Sequence, residues 1–256
     1  MGLFSKIGDF FKSQRCGDLS AIILCAGNST RFSSNNDSKQ FAELDGKLVI
    51  QFTIEAFQKC KFVREIILVV RKEDANDYNS LVCNNGYDKV ECIVIGGETR
   101  QISAMKGFRH VSDKSKYVSI HDGARCLVTE KIISDVYDAA KKYSAATAAN
   151  IVTDTVKLSD NDGFISKTLN RENMWNVQTP QIFEKNLYQL SVENAKANGI
   201  VVTDDCMLVE AYGRKVKLVE SSRENIKITV REDITIAEGI LKLRKKWYIK
   251  QVILWE

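Results

Sequence analysis

Two apolar runs, Ala21-Ile22-Ile23-Leu24-Cys25-Ala26 and Glu65-Ile66-Ile67-Leu68-Val69-Val70, constrain the fold of this chain more than any other feature. A strand with one wet face alternates polar and apolar residues, whereas a run without alternation leaves no face for water. Both runs therefore read as interior strands. Between them Val49 to Lys59 has helical character, and that order is what a parallel sheet covered on both sides requires. Further strands are expected at Lys89–Ile95 and Tyr117–His121, and helices at Thr99–Arg109 and Glu130–Tyr143. The fold class is α/β, with a doubly wound sheet.

The later chain changes texture. Ala145 to Thr155 and Phe164 to Leu169 read as two strands joined by the turn Asp160-Asn161-Asp162-Gly163, a hairpin that projects as an arm at about 148–172. The single proline, Pro180, lies in Gln178-Thr179-Pro180-Gln181. Helices are expected at Leu187–Asn198, stopped by Gly199, and at Asp204–Tyr212, and strands at Val216–Glu220 and Ile226–Thr229. From Ile234 the chain is helical again, and it then becomes basic and aromatic.

At 256 residues, one α/β domain with an appendage accounts for the chain. That domain is expected over 19–241, between an amphipathic N-terminal extension (1–18, with Leu3, Phe4, Ile7, Phe10 and Phe11 at helical spacing) and a basic, aromatic C-terminal extension (242–256). The net charge, 37 − 33 = +4, is too small for a protein that coats nucleic acid but leaves room for a local anionic ligand. Seven scattered cysteines without a C-x-x-C pair fit a reducing cytoplasm. No apolar stretch approaches the roughly 18 to 20 residues that cross a bilayer, so neither an integral membrane segment nor export is expected.

The chemistry concentrates where the first strand meets the next helix: Ala26, Gly27, Asn28, Ser29, Thr30 and Arg31, followed by Lys39-Gln40. In a parallel sheet this loop opens at the carboxyl edge, where ligands bind. Glycine lets the backbone approach a guest, small polar residues leave N–H groups available, and Arg31 and Lys39 add cationic donors suited to a triphosphate. The loop lacks the Gly-Lys-Ser/Thr of a Walker motif and the G-x-G-x-x-G of a dinucleotide site, which weakens a dehydrogenase reading. Further on, Gly96-Gly97 with Arg100 and Ser103 brings the chain close to a ligand and sets two polar groups on one helix face. Asp122, at the end of a strand, either accepts from a hydroxyl, takes part in binding a metal, or caps the following loop. His121 reads as a packed strand residue, and two histidines make no metal site.

Taken together and in order, Ala26-Gly27-x-x-x-Arg31 with Lys39-Gln40, Gly96-Gly97-x-x-Arg100-x-x-Ser103, His121-Asp122-Gly123-Ala124-Arg125, Asp154-Thr155-Val156-Lys157, Arg171 before Gln178-Thr179-Pro180-Gln181, Thr203-Asp204-Asp205 and Asn225-Ile226-Lys227-Ile228-Thr229 resemble the 2-C-methyl-D-erythritol 4-phosphate cytidylyltransferases. The resemblance spans Ala21 to about Leu241. It implies a Rossmann-like domain whose β-arm crosses to a second subunit, hence a homodimer, and transfer of a cytidylyl group from CTP to a sugar-alcohol phosphate with Mg²⁺. By the same resemblance Arg31 and Lys39 stabilise the transition state, and Arg171 and Lys227 position the substrate phosphate. Ala26, Gly27, Asn28, Ser29, Thr30, Gly97, Arg100, Ser103, Asp122 and Gly123 meet the nucleotide. Asp122, Arg125, Thr155, Arg171, Thr203 and Lys227 meet the second substrate, with Asp122 the candidate for Mg²⁺. Ribitol 5-phosphate is the alternative acceptor, and a non-catalytic nucleotide-binding scaffold the alternative class.

The chain departs from the family pattern at Phe32-Ser33 (commonly Met-Gly), Ser38 (commonly Pro), Gly123 (Ala) and Cys126 (Pro), and it has one extra residue between Arg31 and Lys39.

Overall fold

The computed structural model describes residues 16–27, 32 and 38–253, with side chains as far as Trp247. The expected N-terminal helix and the loop residues Asn28, Ser29, Thr30 and Arg31 lie outside the described residues.

The first apolar run forms β1 (Leu19–Leu24) at the middle of the main sheet, parallel to β4 (Val63–Val70) on one side and β6 (Tyr117–Asp122) on the other. Successive side chains of a strand point to opposite faces. Leu19, Ala21 and Ile23 accordingly enter one core with α1 (Val49–Lys59), α2 (Ala75–Asn85) and α4 (Glu130–Tyr143), while Ile22 and Leu24 enter another with α3 (Arg100–Phe108), α5 (Lys185–Ala197) and α6 (Cys206–Ala211). The lack of alternation in the sequence is thus the signature of helices on both faces.

Seven strands make the main sheet, in the order β5 (Val90–Ile95), β4, β1, β6, β10 (Trp175–Glu184), β7 (Ala145–Ile151), β11 (Lys217–Glu220). The chain winds outward from β1 through β4 to β5, then returns to place β6 on the other flank of β1. That reversal opens a crevice at the carboxyl ends of β1 and β6. β10 runs against its neighbours β6 and β7. In α7 (Glu232–Ile253), Ile234, Ala237, Ile240 and Leu241 join Phe32, Leu44, Val49, Ala124, Cys126, Leu127 and Ile228 in a third cluster. A tight hairpin, β2 (Glu43–Leu44) and β3 (Lys47–Leu48), turns through Asp45 and Gly46 and lends Asp45 to Lys245 of α7 at 2.5 Å. Arg244 donates to Glu224 (2.9 Å) and to the Leu127 carbonyl (3.0 Å), so α7 passes residue 241 unbroken and stays anchored beyond it.

Two expectations need correction. Ala145–Ile151 is an interior strand of the main sheet between β10 and β11; the projecting hairpin is shorter, β8 (Lys157–Ser159) paired with β9 (Ile165–Thr168). Its turn is as expected, with the Asp160 carboxylate accepting from the N–H groups of Asp162 and Phe164. Residues Ile226–Thr229 form no strand, because the Asp233 carboxylate takes the N–H groups of Thr229 (2.6 Å) and Val230 (2.9 Å) to start α7, and capping wins over β-propensity. The ten-residue β10, which contains Pro180, is an element for which the sequence suggests no strand. Pro180 is tolerated because the register with β7 slips between Val177 and Gln181, where its missing N–H costs no ladder bond.

Beneath the crevice, His121 of β6 is fully buried, its ring 5.0 Å from that of Phe57. A carbonyl can only accept, so Nε2 carries the proton and donates to the Arg125 carbonyl (3.3 Å). Nδ1 then accepts from the Thr179 hydroxyl (3.0 Å), and that hydroxyl accepts from the Asp122 N–H (3.1 Å). Burial drives the His121 pKa down to about 3, against the favourable field of Asp122. The imidazole is a neutral strut, in line with the packed residue expected from sequence. Next along, a Cβ on Gly123 would lie 2.5 Å from Cys25 Sγ and 3.2 Å from Ile50 Cδ1, so the alanine usual in the family does not fit over this cysteine.

Two outcomes follow. The unfolded chain binds a proton on His121 near pH 6.5 and the native chain only near 3, so acidification from about pH 6.5 to 5 should lower stability. Urea titrations over that range should show a slope approaching about 1.4 kcal/mol per pH unit, flattened in His121→Gln; an unaltered slope in the variant would refute the neutral strut. Gly123→Ala should cost about 1–3 kcal/mol by overpacking. In Gly123→Ala/Cys25→Ala the combined loss should be smaller than the sum of the single losses, and additive losses would show that Cys25 is not what Gly123 makes room for.

Candidate active site

The carboxyl ends of β1, β5 and β6 supply three loops, and a cavity of about 360 Å³ lies between them. Ala26 and Gly27 come from the first loop, Gly97 and the start of α3 from the second, Asp122 from the third, and Lys39 and Lys227 close the rim. The loops approach closely because Gly96 has no side chain: a Cβ there would meet Ala26 Cβ at 2.4 Å and Ser103 Oγ at 2.9 Å. Ser103, buried on the first turns of α3, accepts from the Gly97 N–H (3.0 Å) and fixes that loop to its helix. A roomier hollow of about 700 Å³ lies beyond the Lys39–Phe41 turn, but Arg71 in its wall is bound by both oxygens of Asp74 (2.7 and 2.8 Å) and it holds none of the expected site residues. The smaller cavity is therefore the candidate.

Its floor is one buried carboxylate among cations. Asp122 Oδ2 lies 2.8 Å from Lys227 Nζ and 3.8 Å from Arg125 Nε, and Oδ1 lies 3.3 Å from Arg100 Nε. Burial opposes ionisation of Asp122, but Lys227, Arg100 and Arg125 outweigh it and hold its pKa well below the usual carboxylate range. Arg100 also donates through Nη1 to the buried Asp205 (2.5 Å). Burial alone would lower its pKa; Asp205 and Asp122 raise it instead, so it stays charged. Burial, together with the charge of Arg100, lowers the pKa of Arg125 despite the attraction of Asp122. Among the charged side chains lining the cavity, Lys39, Arg100 and Lys227 stand against Glu98 and Asp122, 3 − 2 = +1. That balance suits an anion.

β10 positions much of this through Gln178, Thr179 and Gln181, whose roles local sequence does not reveal. The Gln178 side-chain carbonyl accepts from Asn225 (3.0 Å), which lies two residues before Lys227. Thr179 holds the Asp122 backbone, as described above. Gln181 donates to Asp204 (3.0 Å) and accepts from the Asp205 N–H (2.9 Å), setting the acid that orients Arg100. Tyr188 of α5 donates to the same acid at 2.7 Å. The signal was the close spacing of polar residues around a proline inside an apolar-flanked stretch. Nothing local revealed that each would reach a different loop.

Of the residues expected from the sequence, Ala26, Gly27, Lys39, Gly97, Arg100, Ser103, Asp122 and Lys227 meet at the cavity. Gly123 and Arg125 lie directly beneath it. Thr203 is exposed ahead of α6, its hydroxyl 3.2 Å from Met207 Sδ, and does not line the cavity. Thr155 and Arg171 are exposed at the base of the arm, with Arg171 donating to the Thr153 carbonyl, and they do not line it either. Arg31 and the preceding Asn28, Ser29 and Thr30 are outside the described residues. For Mg²⁺ the protein donors are few. Among the described residues no three His, Cys, Asp or Glu side chains cluster, and both oxygens of Asp122 face cations.

Comparison with known proteins places this arrangement. The family model for 2-C-methyl-D-erythritol 4-phosphate cytidylyltransferase matches residues 19–243. The enzyme of that name from Caldanaerobacter subterraneus subsp. tengcongensis is 42% identical over 226 residues, covering 88% of this chain and 99% of the relative. Its counterpart from Desulforamulus reducens is 38% identical over 232 residues, covering 90% and 99%. Among solved structures, 4-diphosphocytidyl-2C-methyl-D-erythritol synthase from Anaerococcus prevotii superposes with a TM-score of 0.77 at 34% identity, covering 88% of this chain and 99% of that one. A family model matching residues 19–243, and relatives about 40% identical over nearly their whole length, show that the chain belongs to the 2-C-methyl-D-erythritol 4-phosphate cytidylyltransferase family.

Proposed function

We propose that this protein transfers the cytidylyl group of CTP to 2-C-methyl-D-erythritol 4-phosphate, giving 4-diphosphocytidyl-2-C-methyl-D-erythritol and pyrophosphate in isoprenoid synthesis that does not pass through mevalonate. The observation that carries this reading is the meeting of Lys39, Arg100, Lys227 and Asp122 in one cavity at the topological switch point, in a chain of this family. A phosphate oxygen of the acceptor attacks the α-phosphorus of CTP. The new P–O bond forms as the bond to the bridging oxygen breaks, and pyrophosphate leaves with that electron pair. No covalent enzyme intermediate is required, so the protein's work is alignment and fixed positive charge.

Lys39 lines the cavity and acts on the charge that builds on the reacting phosphoryl oxygens, a role the family resemblance assigns to Arg31 as well. Gly97, Arg100 and Ser103 frame the nucleotide, and Lys227, held by Asp122, is placed to receive the acceptor's phosphate. Arg125, beside Asp122 and donating to the Asn225 carbonyl, serves the acceptor side. A lining charge of +1 does not balance a triphosphate, which leaves a part for Arg31 and for Mg²⁺ carried in on the phosphates; of the two lining carboxylates, Glu98 and Asp122, Asp122 is the one proposed to face the ion. The ion would neutralise phosphate charge. A reducing, cytoplasmic setting belongs to the same reading: among the described residues no disulfide joins the cysteines, and no helix is long and apolar enough to cross a membrane.

Two copies are proposed to pair through the arm, where Phe164 and Ile165 are 72% and 67% exposed in the single chain. Large apolar side chains left so open mark a contact surface. Thr155 and Arg171, remote from their own cavity, would then complete the partner's.

Purified protein given CTP and Mg²⁺ with either 2-C-methyl-D-erythritol 4-phosphate or ribitol 5-phosphate should release pyrophosphate with the first only; turnover confined to ribitol phosphate, or none with either, would overturn the assignment. Arg31→Ala and Lys39→Ala should each lower turnover by about two orders of magnitude or more, as loss of a transition-state donor does. Lys39→Ala mixed with Arg171→Ala should regain about a quarter of wild-type activity, since random pairing makes half the dimers mixed, each with one intact site. Failure of the mixture to exceed its two components would rule out a shared site.

A further inference from the structure

We infer that Asn225 is a positioning residue for Lys227, acting through a buried amide clamp with Gln178; this rests on Lys227 working at the acceptor phosphate. Lys227 lies in a stretch without strand pairing, so no ladder determines where its side chain reaches. Its ammonium nonetheless sits 2.8 Å from Asp122, with the side chain 40% exposed. What holds the segment is found on either side of the lysine. Downstream, the Ile228 N–H donates to the Ala124 carbonyl (2.8 Å) and the Ile228 side chain is buried in the cluster under α7.

Upstream, Asn225 has no exposure and spends its amide as a double donor, to Gln178 Oε1 (3.0 Å) and to the Thr179 carbonyl (2.9 Å). Its own carbonyl accepts from Arg125 (2.9 Å), and its backbone N–H donates to Ser222 (3.1 Å). Lys227 is therefore strung between two anchors, Asn225 fastened to mid-β10 and to Arg125 in the turn after β6, and Ile228 fastened to Ala124 in that same turn.

The chemistry of the clamp selects an amide. The Thr179 carbonyl can only accept, so Asp in place of Asn225 would set two acceptors face to face, and a smaller residue would leave two acceptors unpaired in the interior. Asn225 Oδ1 is itself buried without a partner, a cost that a space-filling residue would not carry. The arrangement is what is expected if the two Nδ2 hydrogen bonds are the reason for the residue.

A double-mutant cycle tests this. kcat/KM for 2-C-methyl-D-erythritol 4-phosphate would be measured for Asn225→Ala, Lys227→Ala and the pair, with urea unfolding of each to establish that it is folded under assay conditions. Asn225→Ala should lower kcat/KM about tenfold when Lys227 is present, the size expected for unpaired buried acceptors, and less than about twofold on the Lys227→Ala background. The KM for CTP should stay within about twofold. Equal losses with and without Lys227 would overturn the inference, because the asparagine would then act on the fold in general. Should Asn225→Ala not fold, Gln178→Ala, which leaves the asparagine in place, carries the same cycle with the same criterion. A Lys227→Ala protein as active as the parent would instead remove the functional reading on which the inference rests, a result told apart by that single variant.

Discussion

The Asp122 carboxylate is the constraint around which this molecule is arranged. A buried charge is tolerated only when it is paired and its remaining oxygens are satisfied, and here three cations from three segments converge on one group. Arg100 comes from α3, Arg125 from the turn after β6, and Lys227 from the irregular stretch before α7. Such a pairing is weak evidence for net stability, because desolvation offsets much of the attraction, but removing the central acid would leave three cations facing one another. Its contribution is geometric. The acid fixes where positive charge stands, and a phosphate entering the cavity meets donors already in place.

β10 explains how so many segments can be referenced to one point. A strand running against its neighbours brings a different set of side chains to the carboxyl edge than a parallel crossover would, and Gln178, Thr179 and Gln181 each use that position on a separate element. One secures the Lys227 segment, one the Asp122 backbone and the neutral His121, one the acid behind Arg100. The register slip that accommodates Pro180 falls among these residues, so the irregular part of the strand is also its organising part.

The parts that were legible in the sequence are those governed by short-range periodicity or by contiguous motifs. β1, β4 and the helices on them followed from apolar runs without alternation, and Ala26, Gly27, Lys39, Arg100, Ser103 and Asp122 could be placed at one edge because each follows a strand. The misreadings have a common cause. Ile226–Thr229 has strand composition, but an acid four residues beyond Thr229 claims the backbone donors. Ala145–Ile151 is alanine-rich and reads as part of the arm because its partners, β10 and β11, lie far along the chain. Local propensity cannot rank such competitors. The role of Asn225 was illegible for the same reason, since the groups it binds lie more than forty residues away, at |i − j| of 47 and 46.

The distribution of cations joins the fold to the proposed pairing of subunits. A single chain brings Lys39, Arg100 and Lys227 to the cavity lining but leaves Arg171 on an exposed arm, tied to the carbonyl of Thr153. Two of those lining charges are already spoken for by Asp122, so the cavity of one chain has little positive charge in reserve for an acceptor phosphate arriving beside a triphosphate. An arm presenting a further guanidinium from a neighbour would supply that charge without burying another unpaired cation in the monomer, where nothing would compensate its desolvation. On this argument the arm is exposed for an electrostatic reason as well as a packing one. In the proposed pair, the same apolar residues that make the hairpin a poor surface for a lone chain would carry a cation to a cleft that is short of it.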